Sequence, residues 1–242
     1  TGSEYRSKGL SSWSQFVGML FCQLGRAHSL REIEGGLKSC EGKLAHLGID
    51  VPVRSSLSYA NGHRPWQLIE KVFYGLFETV AAKAQGSHKF RFKNKLVSLD
   101  STVIDLCLSL YDWAKYRRTK GAVTLHLVLD HDGLGASTIA AIYKDRRQIE
   151  LFFKALKQNL KIKTFVGTSA NSVKTQMWTA VISMLLLRDL QLSSRFGWSL
   201  ANLVALLRMN LFTHRDLMAW LDKPFAAPPD PQDNPQATLA FA

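Results

Sequence analysis

Cysteine is scarce. Only Cys22, Cys40 and Cys107 occur in 242 residues, an odd number at unrelated spacings. That argues against a disulfide framework and a zinc site, and makes a reducing compartment the natural setting. A membrane-spanning run is also missing. The longest apolar stretch, MWTAVISMLLL from Met177, stops at Arg188 and Asp189, short of the roughly 18 residues that a span requires. It predicts a buried helix. No basic segment leads into a hydrophobic one at the start, so no secretory signal is read and a cytoplasmic location is expected. The chain opens on Thr1 and the polar stretch TGSEYRSKG, as a trimmed or truncated N-terminus would. Acids are in short supply too. Nineteen Asp and Glu stand against 31 Lys and Arg, a formal charge of +12, which favours a polyanionic partner: nucleic acid first, an anionic membrane surface second.

What is present suffices for a real core, since 46% of the residues are apolar. Trp13, Phe16, Val17 and Leu20 follow helical spacing, and Ser29 with Glu32 forms a capping box for a second helix that Gly35 and Gly36 should end. A third helix is predicted over 65–80, with Pro65 in its first turn. Such a basic three-helix unit suits DNA binding or, equally on pattern, dimerisation. HKFRFKNK over 88–95 alternates basic and aromatic residues, as an edge strand, a basic arm or a solvated charge run would. A buried strand is predicted over 96–104, then a polar loop holding KYRRTK, then a second strand, AVTLHLVLDHDG, turning at Gly133. The tail from Lys223 is proline-rich and expected to be disordered. No internal repeat is found.

Chemistry concentrates in two places. Asp100 lies within the apolar strand LVSLDSTV, where an acid needs a compensating partner: a metal ion, or a hydrogen bond from Ser101 or Thr102. The segment YKDRRQIELFFKALK, predicted helical within 137–160, places Tyr143, Arg146, Glu150 and Lys157 on one arc roughly 60° wide. Ile149, Phe152, Phe153, Leu156 and Leu160 form the adjoining apolar stripe. Taken alone, Glu150 also fits an ordinary helix-face pair with Arg146 or Lys154. Carboxylates suit Mg or Mn, and a pair of such ions serves phosphoryl transfer.

The words SLDSTVI, AVTLHLVLDHDG and YKDRRQIELFFKALKQNLKIKTFVG resemble the insertion sequence four family of bacterial DDE transposases. That family's helical signature is Tyr, two residues, Arg, three residues, Glu, six residues, Lys, which falls here on Tyr143, Arg146, Glu150 and Lys157. WSQFVGMLFCQLGRAHSLREIEGGL and RPWQL resemble the helical region that precedes the catalytic domain in one branch, so the likeness runs from about Trp13 to about Leu221. It implies an α/β (α+β) fold. A helical unit over 1–85 for DNA binding or dimerisation would precede a ribonuclease H-like core over 86–222, with a tail over 223–242. It implies Asp100 and Glu150 as first and third acids of a two-metal Mg or Mn site, and Tyr143, Arg146 and Lys157 as contacts to double-stranded transposon DNA. Arg forks, Lys charges and Tyr hydroxyls or rings suit phosphates and end nucleotides. It also implies a homo-oligomer on DNA, near the nucleoid.

Family members carry a second Asp on a later strand between these acids. Between Asp100 and Glu150 this chain has room only for the first strand, the basic loop, one further strand and half the helix. The sequence passes directly from LDHDG to LGASTIAAIY, as an internal deletion near 134–136 would leave it. Arg147 also stands where the family has Trp. The core is therefore read as incomplete and the copy as catalytically defective, with Asp130 or Asp132 as candidate replacement ligands. The alternatives are a non-catalytic DNA-binding remnant that occupies element ends or inhibits the intact enzyme, and a product that does not fold.

Overall fold

The computed structural model describes residues 9–84, 97–107, 109–117, 120–130, 164–213 and 215–225, together with Lys154, Lys157 and Leu160. Its first elements are helices: α1 (Ser12–Leu24), α2 (Leu30–Lys38), α3 (Arg54–His63) and α4 (Gln67–Ala84), with two single 3-10 turns between α2 and α3. The predicted capping box is present and reaches one residue further back. Ser29 Oγ accepts from the Glu32 amide at 3.2 Å, while Glu32 Oε2 accepts from the His28 amide at 2.8 Å.

Two sequence expectations are corrected in this region, and one helix is added that no expectation named. Gly35 and Gly36 do not end α2, which continues to Lys38. Gly36 is there for close packing: a Cβ would stand 2.6 Å from the Phe21 ring. The stretch between the second and third predicted helices holds α3, whose sequence is rich in Ser, Asn and Gly. Its inward positions Leu57, Ala60 and Asn61 nevertheless carry helical spacing and are buried. The next helix along the chain begins at Gln67 rather than Pro65, because Pro65 lies in the preceding turn, its carbonyl accepting from the Leu68 amide.

Strand β1 (Val97–Leu106) pairs antiparallel with β3 (Lys120–Asp130), and Asp100 lies opposite Leu127. Both predicted strands are thus present. The KYRRTK cluster is not wholly a loop: its first residues form β2 (Lys115–Arg117), which pairs with the start of β3 and gives the sheet order β1–β3–β2. A short polar segment can form a strand when its neighbour supplies a free edge and a two-residue connection.

The apolar run of the second half becomes α5 (Ala170–Ser193), followed by α6 (Leu200–Met209) and α7 (Leu217–Asp222). Ser169 caps α5 by accepting from the Ser172 amide. Val173, Met177, Ala180, Ile182, Met184 and Leu187 are all buried, so the helix is covered on nearly every side. It packs against α1, α3, α4 and α6. One core cluster joins it to the sheet through Ile104 and Leu106; a second lies among α1, α2 and α3; a third gathers Trp198, Leu203 and Leu221.

The fold is mixed helix and sheet, an α+β arrangement. All three cysteines are free. No helix among the described residues is long and apolar enough to cross a membrane. The basic segment 88–95, the turn at Gly133, most of the predicted helix 137–160 and the tail beyond Phe225 lie outside the described residues.

The two adjacent glycines of α2 should respond oppositely. Gly35→Ala, with nothing within 4 Å of its added Cβ, is expected to stabilise by up to about 1 kcal/mol through helix propensity. Gly36→Val should cost about 1–3 kcal/mol by driving into the Phe21 ring. Urea melts of the two variants test the pair, and equal shifts would contradict the packing role of Gly36.

Candidate functional site

The strand that carries Asp100 is the structural base of the site. Along β1, Ile104 and Leu106 are buried while Val103 and Asp105 are exposed, the alternation of a strand with one face in the core. Position 100 is in phase with 104 and 106 along this strand. Its side chain lies outside what the structure describes, as do Tyr143, Arg146 and Glu150 in full.

Lys157 is the signature residue whose surroundings are described. Its helical backbone brings Nζ to the carbonyl of Val103, to which it donates at 3.2 Å. One turn on, Leu160 is only 2% exposed and shares the core cluster of Ile104 and Leu106. The end of the signature segment therefore rests on β1. Lys157 meets β1 at Val103, and Leu160 lies in the core cluster to which Ile104 and Leu106 of the strand belong.

Two side chains outside the signature anchor the backbone C-terminal to it. Gln176, fully buried on α5, accepts from the Val166 amide at 2.9 Å and donates to the Thr164 carbonyl at 2.8 Å. Its amide thus serves both polarities of a backbone segment that has no sheet or helix partner. Trp113, from the β1–β2 connection, donates Nε1 to the Thr168 carbonyl at 2.8 Å. Phe165 packs edge-on against Tyr111, with ring centroids 6.3 Å apart. Sequence reasoning missed both ties. The available signal was Gln176, an amide directly before the apolar run MWTAVISMLLL, which a buried environment leaves only if something uses it.

At the end of β1, the Cys107 thiol is held below its ordinary value by hydrogen bonding to Ser109, whose Oγ lies 3.0 Å away. Burial raises the Tyr111 phenol, with the Cys107 charge adding to it. Neither group adjoins the described signature residues in a way that forms a catalytic pair. Among the described residues no three His, Cys, Asp or Glu side chains gather as a metal-holding group. The described part alone therefore does not make the two-metal site. Of the two acids expected from the sequence, Asp100 is described by its backbone place on β1 and Glu150 lies outside the described residues.

Comparison with known proteins bears on these same segments. Residues 129–186 match the family described as Transposase DDE domain, a span that includes Tyr143, Arg146, Glu150 and Lys157 but not Asp100. Residues 1–50 match a domain of unknown function, DUF4372. A protein named as a transposase in Sinorhizobium fredii is 38% identical over 96 residues, 40% of this chain and 27% of that protein. One from Synechocystis, named for insertion sequence element IS4SA, is 30% identical over 90 residues, 37% of this chain and 27% of the relative. A third, from Geobacillus stearothermophilus and named for element IS5377, is 43% identical over 53 residues, 22% and 14% of the two chains. The matches thus span about a quarter or less of these relatives' lengths. No solved structure matches. Over 129–186 the chain is thus similar to the DDE domain of transposases, and over parts of its length to proteins named as transposases.

The Gln176 amide gives a direct test of how the signature segment is anchored. Gln176→Met keeps the volume and removes both hydrogen bonds, leaving the Val166 amide and Thr164 carbonyl without that partner. A loss of about 1–3 kcal/mol is expected, with faster hydrogen exchange at the Val166 amide. Unchanged exchange there would show that the segment is held by something else.

Proposed function

We infer that the chain derives from an insertion-sequence transposase of the insertion sequence four type, that it engages double-stranded element-end DNA as a homo-oligomer, and that its cleavage chemistry is lost. The docking of Lys157 and Leu160 on β1 carries this reading. That contact seats the end of the signature segment on the strand that carries Asp100.

In this reading Asp100 and Glu150 are the carboxylates that would hold divalent Mg or Mn, hard ions that prefer oxygen ligands. When bound, such ions neutralise charge on a phosphate undergoing in-line substitution. Tyr143 and Arg146, on the same arc as Glu150, meet the phosphates and end nucleotides of the DNA. Lys157 is placed with them, although its described partner is the Val103 carbonyl, so it combines a positioning contact with its charge.

The second acid is the missing element. Strand β3 ends at Asp130, and only the short stretch 131–136 separates it from the segment leading to the signature helix. We read this as an internal deletion of the strands that carry the acid in relatives. Two carboxylates leave a two-metal site short of ligands, which favours a DNA-occupying remnant over a working nuclease. The ribonuclease H-like identity of the sheet, and the division at 85 and 222, belong to the same reading.

The test is nicking of a duplex from the chain's own genomic flank, with Mg and Mn, beside Glu150→Gln. Retention of the duplex without cleavage by either protein is the expected result. Metal-dependent cleavage that disappears in Glu150→Gln would overturn the loss of activity and assign Asp130 or Asp132 as the replacement ligand.

A further inference from the structure

Helix α3 has two different sides. Leu57, Ala60 and Asn61 are buried against α1, α2 and α5. Asn61 is tied into the interior: its Oδ1 accepts from Gln15 Nε2 at 2.9 Å, and its carbonyl accepts from Asn171 Nδ2 at 2.8 Å. Arg64, just past the helix, donates to Gln15 Oε1 and to the Leu10 carbonyl. This network fixes the helix to the molecule from beneath.

The opposite side is exposed and lacks any acid. Between Asp50 and Glu70 there is no Asp or Glu, while Arg54, His63 and Arg64 fall in that interval. Ser55, Tyr59 and His63, four residues apart, make one exposed stripe; Arg54 and Ser58 make the next. Tyr59 is 67% exposed, unusual for so large a ring, and it is not free to swing. It stacks on His63 with centroids 4.0 Å apart and planes at 15°. His63 Nδ1 lies 3.0 Å from the Tyr59 carbonyl. A carbonyl only accepts, so Nδ1 is the donor and Nε2 remains as the ring's other polar atom.

We propose that the exposed face of α3, built on Arg54, Ser55, Ser58, Tyr59 and His63, is a docking surface for duplex DNA, lying in the major groove. The proposal rests on the inference that the chain binds DNA and assigns that binding to one face. A ten-residue helix is about 15 Å long, and a major groove about 12 Å wide admits one. Charge selects the partner: an acid-free face on a chain of net charge +12 repels little and attracts phosphate. Arg54 and the serine hydroxyls meet backbone or base edges, and the Tyr59–His63 stack brings an ordered edge with little conformational freedom to lose. A protein partner would instead be expected to find a larger apolar centre here.

The experiment uses the full chain and a fluorescein-labelled mixed-sequence duplex, followed by anisotropy over a salt series. Arg54→Gln and Tyr59→Ser, both at exposed positions, should each weaken binding about tenfold, and Arg54→Gln should lower the salt slope by about one. Arg195→Gln, a highly exposed charge far along the sequence, should change affinity less than about twofold under the same nonspecific attraction. Matching circular dichroism melts establish that the variants are folded. Full affinity in both α3 variants, with the parent still binding, would overturn the assignment to α3 and leave DNA binding intact. Failure of the parent to hold the duplex, or a preference for the corresponding single strand, would overturn both.

Discussion

The burial of α5 is the constraint on which the rest of the structure depends. A helix of 24 residues with almost no polar side cannot rest on one surface alone. It has to be surrounded, and the elements that surround it come from distant parts of the sequence. Helices α1, α3 and α4 cover it from the N-terminal region, α6 from the C-terminal side, and the β1 cluster reaches it through Ile104 and Leu106. At about 25 cal/mol per Å² of apolar area, burial on this scale provides most of the driving force that holds helical unit and sheet to one axis.

An apolar axis would leave register undetermined, and the polar residues on α5 supply it. Asn171 donates to the carbonyls of both Asn61 and Arg64, locking the end of α3 at one height along the helix. Gln176, a turn and a half further on, engages Val166 and Thr164. Thr179 and Ser183 turn their hydroxyls back to the carbonyls of Thr175 and Thr179, so neither hydroxyl is left unpaired in the core. Across the molecule, Arg208 of α6 donates to the Leu24 carbonyl at the end of α1, where a cation also suits the helix dipole. Burial, with Arg26 nearby, lowers its guanidinium from the ordinary value. These bonds explain how a helix apolar nearly all round still has one seating.

Periodicity made much of this legible. The spacing of Trp13, Phe16, Val17 and Leu20 announces α1, the Ser29 and Glu32 pair announces α2, and the apolar strand patterns LVSLDSTVI and AVTLHLVLD announce β1 and β3. These patterns are local, so a single sequence carries them. What it hid was non-local. Gly36 reads as a terminator because nothing nearby in sequence reveals the Phe21 ring above it. The helix Arg54–His63 went unnamed because its serines face solvent, where helix propensity counts for little against packing at Leu57 and Ala60. In the candidate site, the signature spacing and Asp100 could be read directly, whereas Gln176 and Trp113 act on backbone groups that only the folded chain brings near.

The sheet carries a further consequence for the signature segment. Among the described residues β1 lies at an edge, paired with β3 on one side. A ten-residue edge exposes backbone donors and acceptors that invite pairing with another chain unless something covers them. Lys157 meets one of these demands, its ammonium donating to the Val103 carbonyl, and the flanking Leu160 seals apolar surface beside it. A lysine that caps a strand edge carries its charge there as well. The same contact that covers β1 thus sets a cation beside the strand that carries Asp100. The one interaction thus covers a carbonyl of the β1 edge and fixes the end of the signature segment to that strand.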